Sequence, residues 1–235
     1  MMSNFFWGGY YLIRLKKMNW GDQQGTTAYT CSECINDSLL GNWCHPWTSG
    51  NDAIINEIEN DYSIDEKTIP AIREWVGHAF EHKRIGWPNV FKDIATVSAY
   101  ERLFFEHLAN LKIMSVYFSE EETADLQKEF HPKPNGLDAI GLYENLQLMV
   151  PEEEIPDQLL LGYDLIGVEI DGGFHSFHCH SLAPALIERF GLVLNEFGLL
   201  NDISDWKPVI EYMNDEANGF EPVPWFYCKV KILQA

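Results

Sequence analysis

The alternation of apolar and polar residues is clearest at the C-terminal end of the chain. Between Pro224 and Leu233 the even-numbered residues form one set and the odd-numbered residues another: Phe226, Cys228, Val230 and Ile232 against Trp225, Tyr227, Lys229 and Lys231. Because successive side chains of a strand point to opposite faces, this pattern predicts a strand with one buried apolar face. Residues 4–20 are rich in aromatic and branched side chains, and they predict a further strand or hairpin with a bend at Gly8 and Gly9.

Helical spacing of apolar residues predicts five helices. They cover residues 65–82, residues 98–111, a segment from Ser119 to about residue 130, a segment from Ser181 to Phe190, and a segment that begins at Ser204. Ser119 and Glu122 have the spacing of a capping box, and Ser181 and Ser204 are predicted N-caps. Gly191 and Gly219 follow the last two helices, where a left-handed residue is common.

Shorter apolar runs predict the remaining strands. They cover residues 112–118, residues 142–150 and, after a turn at Gly172 and Gly173, the histidine-rich residues 174–180. Residues 159–168 are apolar enough for another short element, whose type the pattern leaves open. Strands and helices that are mixed along the chain in this order are typical of an α+β fold, with a mixed or antiparallel sheet and helices packed on it. We expect one domain over residues 1–235, with a loop-rich subregion at 21–52 that forms a small cysteine-containing knuckle.

The net charge is the strongest global property of the chain. Sixteen Lys and Arg stand against 36 Asp and Glu, which gives −20, and the surplus lies beyond residue 50. A field of this sign repels nucleic acid and anionic membranes, so we expect neither as a partner, and it attracts a basic protein. The alternative interpretation is that acidity serves solubility alone.

The N-terminus and the cysteine count both bear on the compartment. Aromatic residues precede the charges Arg14, Lys16 and Lys17, whereas a secretory signal has its charges first. The chain has five cysteines, and an odd number makes a disulfide framework a poor interpretation. We therefore predict a cytoplasmic protein with reduced or metal-bound thiols.

Two segments carry residues that could bind a metal, and the first is "GFHSFHCHS" at residues 173–181. If this segment is a strand, His175 and Cys179 share one face, and His178 and His180 share the other. The latter pair would then lie roughly 6.5–7 Å apart at Cα, which allows both imidazoles to reach one metal. The alternatives are a half-buried strand whose imidazoles bind backbone or acidic groups, and a catalytic centre completed by residues from elsewhere.

The second segment combines Cys31 and Cys34 with Cys44 and His45. The C-x₂-C spacing lets two thiolates bind one tetrahedral zinc ion, and Cys44 or His45 could complete the site. Free thiols and a thioredoxin-like redox pair remain as alternatives. Residues 36–41 are poor helix formers, which argues against the redox pair.

The N-terminal aromatic residues followed by C-x₂-C resemble the double-CXXCG immunity proteins of bacterial toxin systems, over about residues 5–50. The chain departs from that pattern at Ile35, where the pattern has glycine, and in lacking a second C-x₂-C. The C-terminal run from "LGYDLIGVEIDGGFHSFHCHSLAPALIERFG" to "FEPVPWF" resembles bacterial proteins encoded beside contact-dependent or polymorphic toxins. The resemblance implies a cytoplasmic inhibitor that covers the active site of its toxin.

From the charge and this resemblance together we expect an immunity-type binding protein without catalysis. Its partner would be a basic toxin, because opposite fields favour both encounter and complementarity. The alternative is a metal-dependent enzyme that uses a His178 and His180 centre.

Overall fold

The computed structural model describes residues 4–18, 24–47, 62–65, 67–132, 140–179, 182–202 and 205–234. Within these ranges the chain forms six α-helices and one antiparallel sheet of eight strands, which is an α+β fold as predicted. No helix in the described ranges has both the length and the apolar character needed to cross a membrane.

The sheet contains four long strands and four short ones. The long strands are β1 (Phe5–Arg14), β5 (Leu111–Ser119), β6 (Gln158–Val168) and β8 (Trp225–Leu233); the short ones are β2 (Asp37–Ser38), β3 (Ile85–Gly86), β4 (Val90–Phe91) and β7 (Phe174–Ser176). Their order is β3-β4-β1-β5-β8-β6-β7, and β2 also pairs with β1. A bulge interrupts β1 between Trp7 and Gly9, where Gly9 has a φ of 150°, so the predicted bend lies within one strand.

Both faces of the sheet are buried. Along β1, Tyr11 and Ile13 enter one hydrophobic cluster, and Leu12 enters another on the opposite face. Along β8, Phe226, Cys228, Val230 and Ile232 all enter the first cluster, which confirms the predicted apolar face. The opposite face of β8 is also apolar at its start, where Trp225 and Tyr227 enter a third cluster.

The helices cover the two faces of this sheet. They are α1 (Thr68–Glu81), α2 (Ile94–Tyr100), α3 (Glu120–Glu129), α4 (Gly141–Gln147), α5 (Ala183–Phe190) and α6 (Lys207–Met213). The predicted capping of α3 is confirmed, because the Ser119 side chain accepts a hydrogen bond from the backbone N–H of Glu122. Gly191 ends α5 in the left-handed conformation, as predicted. The predicted caps Ser181 and Ser204 lie outside the described residues.

Two predicted elements are wrong in type or extent. The apolar run over residues 142–150 predicts a strand, but α4 occupies Gly141–Gln147, and Leu142 and Leu146 on one side of that helix are buried. Spacing by four residues suits a helix, and a short apolar run does not separate the two structures. The helix expected over residues 98–111 starts earlier, as α2, and continues as a π-helical turn that ends at Phe105.

The histidine-rich segment forms less strand than the alternation predicts. β7 ends at Ser176, and residues 177–179 form a turn. Ser176 is the last residue that pairs with β6, opposite Ile166. The period of two therefore does not sort the side chains beyond Ser176.

Candidate metal centre

A tightly bonded loop positions Cys34. The backbone N–H groups of Ile35 and Asn36 both donate to the carbonyl of Ser32, at 3.2 and 3.0 Å. The Asn36 side chain donates to the carbonyls of Ala28 and Thr30 at 2.9 and 2.8 Å. Ser32, Ile35 and Asn36 are buried, and Cys34 is exposed at the apex of the loop. The loop therefore holds one thiol at the surface.

The β6–β7 hairpin positions His175 and Glu169 across from each other. His175 pairs with Gly167 in the register of the two strands, and Glu169 follows the end of β6. The backbone N–H of Glu169 donates to the carbonyl of Gly173 at 2.9 Å, which closes the hairpin. Oε1 of Glu169 lies 2.6 Å from Nε2 of His175. The contact with the carboxylate occupies Nε2 and leaves Nδ1 of the ring for another partner.

The cysteine loop docks on the start of β7. The backbone N–H of Glu33 donates to the carbonyl of Phe174 at 3.3 Å. Sγ of Cys34 consequently lies 3.1 Å from Nδ1 of His175. The turn after β7 then brings Cys179 back toward the strand, because the N–H of Ser176 donates to Sγ of Cys179 at 3.3 Å.

Cys34, His175 and Cys179 together form a group that could hold a metal ion. One ligand atom from each residue lies within 4.8 Å of the others. Cys34 is exposed, the His175 side chain is mostly covered, and Cys179 is buried against Met18, Ala28 and Ile35. Around a tetrahedral zinc ion, two thiolate sulfurs lie about 3.8 Å apart, a separation that this group can reach with small shifts.

The three side chains also change one another's protonation. The Cys179 thiol and the His175 ring both donate to the Cys34 sulfur, which lowers the pKa of Cys34 from 9.0 to about 4. The same contact with Cys34, followed by the bond to Glu169, raises the pKa of His175 to about 9. The pKa of Cys179 is raised because its thiol proton serves as the donor to Cys34. Near pH 7 the pair is therefore a thiolate and an imidazolium.

The structure separates the residues of the predicted N-terminal zinc set. Cys31 lies in the hydrophobic cluster on one face of the sheet, and Cys44 lies in the cluster on the other. The Cys44 thiol donates to the carbonyl of Leu39 at 3.3 Å, and His45 Nε2 lies 2.6 Å from the carbonyl of Pro88. Of the predicted set, Cys34 alone enters the group of possible ligands found among the described residues. The cysteine-containing knuckle is not confirmed.

His178 lies near the group without belonging to it. Its ring is buried, and Nε2 lies 2.7 Å from the carbonyl of Gly198. Burial lowers the pKa of His178, so the ring is neutral near pH 7 and donates to that carbonyl. The predicted partner His180 lies outside the described residues. The alternative of an enzyme built on these two histidines stays a prediction.

Sequence reasoning missed the combination of Cys34, His175 and Cys179. One signal was present, because the alternation placed His175 and Cys179 on the same face of the predicted strand. The contact with Cys34 carried no local signal, since 141 residues separate it from His175.

Comparison with known proteins adds no relative from which a role could be transferred: no family model, no curated protein and no solved structure matches this chain.

Proposed function

We propose that this chain is an acidic binding protein of the immunity type, which neutralises a basic toxin by covering it, and that zinc at Cys34, His175 and Cys179 stabilises its fold. The observation that carries the binding role is the surplus of negative charge, −20 over the chain. The choice of zinc rests on the ligands themselves, two cysteine sulfurs and one histidine nitrogen.

One acidic patch lies where Lys207 of α6 bridges to Glu121 of α3. Lys207 of α6 binds Glu121 of α3 at 2.6 Å, and the charges of Asp125 and Glu211 add to Glu121 in raising the pKa of that lysine. One cation therefore stands among three exposed carboxylates. Between residues 182 and 218 the chain carries two basic residues and seven acidic ones, which are Glu188, Glu196, Asp202, Asp205, Glu211, Asp215 and Glu216. Such a field favours encounter with a basic protein.

Charge reversal on this surface tests the binding role. Each basic protein encoded beside the gene for this chain would be expressed as a candidate toxin, and growth rescue and the affinity of the purified pair would be measured. The variant replaces Glu121, Asp125 and Glu211 by Lys. We expect rescue to be lost and the association rate to fall by at least tenfold at low salt.

A matched control makes the same change in net charge elsewhere. Glu74, Glu81 and Glu106 are also exposed, and they belong to α1 and to the turn after the π-helical segment. Replacing these three by Lys should leave rescue intact. Equal loss from both triple variants would show that net charge alone matters, and full rescue by the α3–α6 variant would refute this binding surface.

The zinc proposal depends on how well the residues fit that ion. Zinc prefers thiolate and imidazole ligands, and the group offers two sulfurs and one nitrogen. A histidine that binds zinc commonly donates its other N–H to a carboxylate, and Glu169 occupies that position on Nε2. The ion would join the loop around Cys34 to β7 and its following turn.

Metal analysis of the intact protein tests this proposal. Protein purified without chelator should contain one equivalent of zinc, and Cys34→Ser, His175→Gln and Cys179→Ser should each lose it. Cys44→Ser is the matched control, because it removes a buried thiol of the other predicted set. Zinc that survives in the first three variants, or is lost in the control alone, would refute the assignment.

A further inference from the structure

Cys34 differs from every other cysteine of this chain in its exposure. All five cysteines lie in the described ranges as free thiols, and Cys31, Cys44, Cys179 and Cys228 are buried while Cys34 is exposed. A small oxidant from solution therefore meets Cys34 first. Reactivity of a thiol toward oxidants follows access and local environment, so this exposure alone selects one position.

Cys179 is a buried neighbour of the exposed Cys34. The two sulfurs belong to one group whose ligand atoms all lie within 4.8 Å of each other, and no side chain of a third cysteine shares that group. Both residues lie in turns, Cys34 in the loop after Ser32 and Cys179 in the turn after β7. A disulfide requires a separation near 2.05 Å, so the sulfurs must approach by less than about 3 Å. Side-chain rotation and small movements of two turns can supply that approach.

We propose that Cys34 and Cys179 are a modification site for hydroperoxides, at which oxidation joins the two sulfurs in a reversible disulfide. In the first step the Cys34 sulfur, as thiolate, attacks one oxygen of hydrogen peroxide, the O–O bond breaks, and the second oxygen leaves as hydroxide, which takes a proton from solvent to become water. In the second step the Cys179 sulfur attacks the sulfur of the sulfenic acid, and the hydroxyl leaves as a second water with the Cys179 proton. Two electrons pass from the two sulfurs to the peroxide oxygens.

The disulfide would also control whether the zinc ion stays bound. Its formation needs no zinc, but its effect on zinc rests on the metal site proposed above. Two sulfurs joined to each other no longer offer two thiolates, so oxidation removes two of the three ligands and releases the ion. Reduction by a dithiol restores both thiols and the site.

The test uses the full-length protein in two states, reduced with zinc removed by a chelator, and reduced with one equivalent of zinc added. Each is treated with stoichiometric hydrogen peroxide. Thiols are then counted in denaturant, and linked peptides are identified by mass spectrometry after combined Glu-C and chymotrypsin digestion. This digestion separates Cys34 from Cys31 after Glu33 and from Cys44 after Leu39. We expect two of five thiols to be lost and Cys34 to be linked to Cys179.

Variants distinguish the steps. Cys179→Ser should stop at a sulfenic acid on Cys34 that dimedone traps, Cys34→Ser should lose no thiols, and Cys44→Ser should behave like the parent protein. If Cys179→Ser is unstable, Cys179→Ala replaces it, and the same trapped sulfenic acid is expected. A parent protein that keeps five thiols, or that links Cys34 to a different cysteine or to a second chain, overturns the proposal.

The zinc-loaded arm separates this proposal from the preceding one. Release of zinc on oxidation, followed with a chromogenic chelator, supports both. A Cys34–Cys179 disulfide in a protein that never binds zinc supports the modification site and refutes the zinc site. Stable zinc binding without any disulfide supports the zinc site and refutes the modification site.

Discussion

Glu169 orients the ring of His175, because its Oε1 lies 2.6 Å from Nε2 and leaves Nδ1 directed at Cys34. The hairpin between β6 and β7 supplies this relationship through backbone bonds rather than through the two side chains alone. A histidine with a fixed tautomer and ring plane is a stronger metal ligand than one that rotates freely.

Removing that carboxylate should therefore weaken metal binding without removing a ligand. We expect Glu169→Ala to raise the dissociation constant for zinc by about 10- to 100-fold, the usual cost of losing such a partner. Competition with a chromogenic chelator measures it. Asp171→Ala in the same hairpin is the control, because its carboxylate accepts a bond from the backbone of Gly173 and does not contact His175. Equal affinities in both variants would contradict the role of Glu169.

The reactivity of Cys34 should depend weakly on pH. In the metal-free protein its pKa of about 4 keeps it a thiolate across pH 6 to 8, whereas an ordinary thiol loses about tenfold in thiolate for each pH unit below its pKa. We expect the rate of alkylation by iodoacetamide to be nearly constant over this range. His175→Gln removes one donor to the sulfur and should restore part of the steep dependence. A tenfold decrease per pH unit in the parent protein would contradict the ion pair.

The sequence alone predicts correctly those helices and strands in which the apolar pattern is long and the two faces differ. β8 alternates over nine residues, so its buried face could be predicted, and α3 begins at a serine with the right capping partner. Residues 142–150 offered only a short apolar run, in which the helical spacing of Leu142 and Leu146 competes with a strand interpretation.

The candidate site was harder to predict for a topological reason. Its ligands come from a loop near the N-terminus and from a hairpin at the far edge of the sheet, and they meet because the Glu33 backbone docks on Phe174. Local spacing favoured Cys31 and Cys34 as a pair instead. The sheet separates Cys31 from Cys44, because the two side chains are buried in the hydrophobic clusters on its opposite faces.

Substitution of Val230 tests the prediction that one face of β8 belongs to the core. Its side chain is 1% exposed and packs in the largest cluster, so Val230→Asp would bury a charge without a partner. We expect the free energy of unfolding to decrease by several kcal/mol, measured by urea denaturation. Leu160→Asp is the control, because Leu160 lies on the neighbouring strand β6 and is 46% exposed. Similar stability of the Val230 variant and the parent would show that this face is not part of the core.

Asp164 provides a stability prediction with a definite sign in pH. Its carboxylate is buried, and burial raises its pKa from 3.8 to about 7. Thr30 and the backbone N–H of Leu165 lie near it and oppose the rise, but neither reaches hydrogen-bonding geometry with the carboxylate oxygens. The native protein therefore holds a proton on Asp164 at a pH where the unfolded chain has released it.

The direction of the effect follows from proton binding. Between about pH 4 and pH 7 the native state binds more protons than the unfolded state at this residue, so raising the pH through that window lowers stability. Above pH 7 the full cost is present, and three pKa units correspond to about 4 kcal/mol. We expect Asp164→Asn to be more stable than the parent protein at pH 8.5, by up to about 4 kcal/mol, and to lose most of this advantage at pH 4.5. Urea denaturation at the two pH values measures the difference. Glu122, whose pKa burial raises to about 8, is present in both proteins and cancels. An advantage that is the same at both pH values would show that Asp164 does not carry a buried charge.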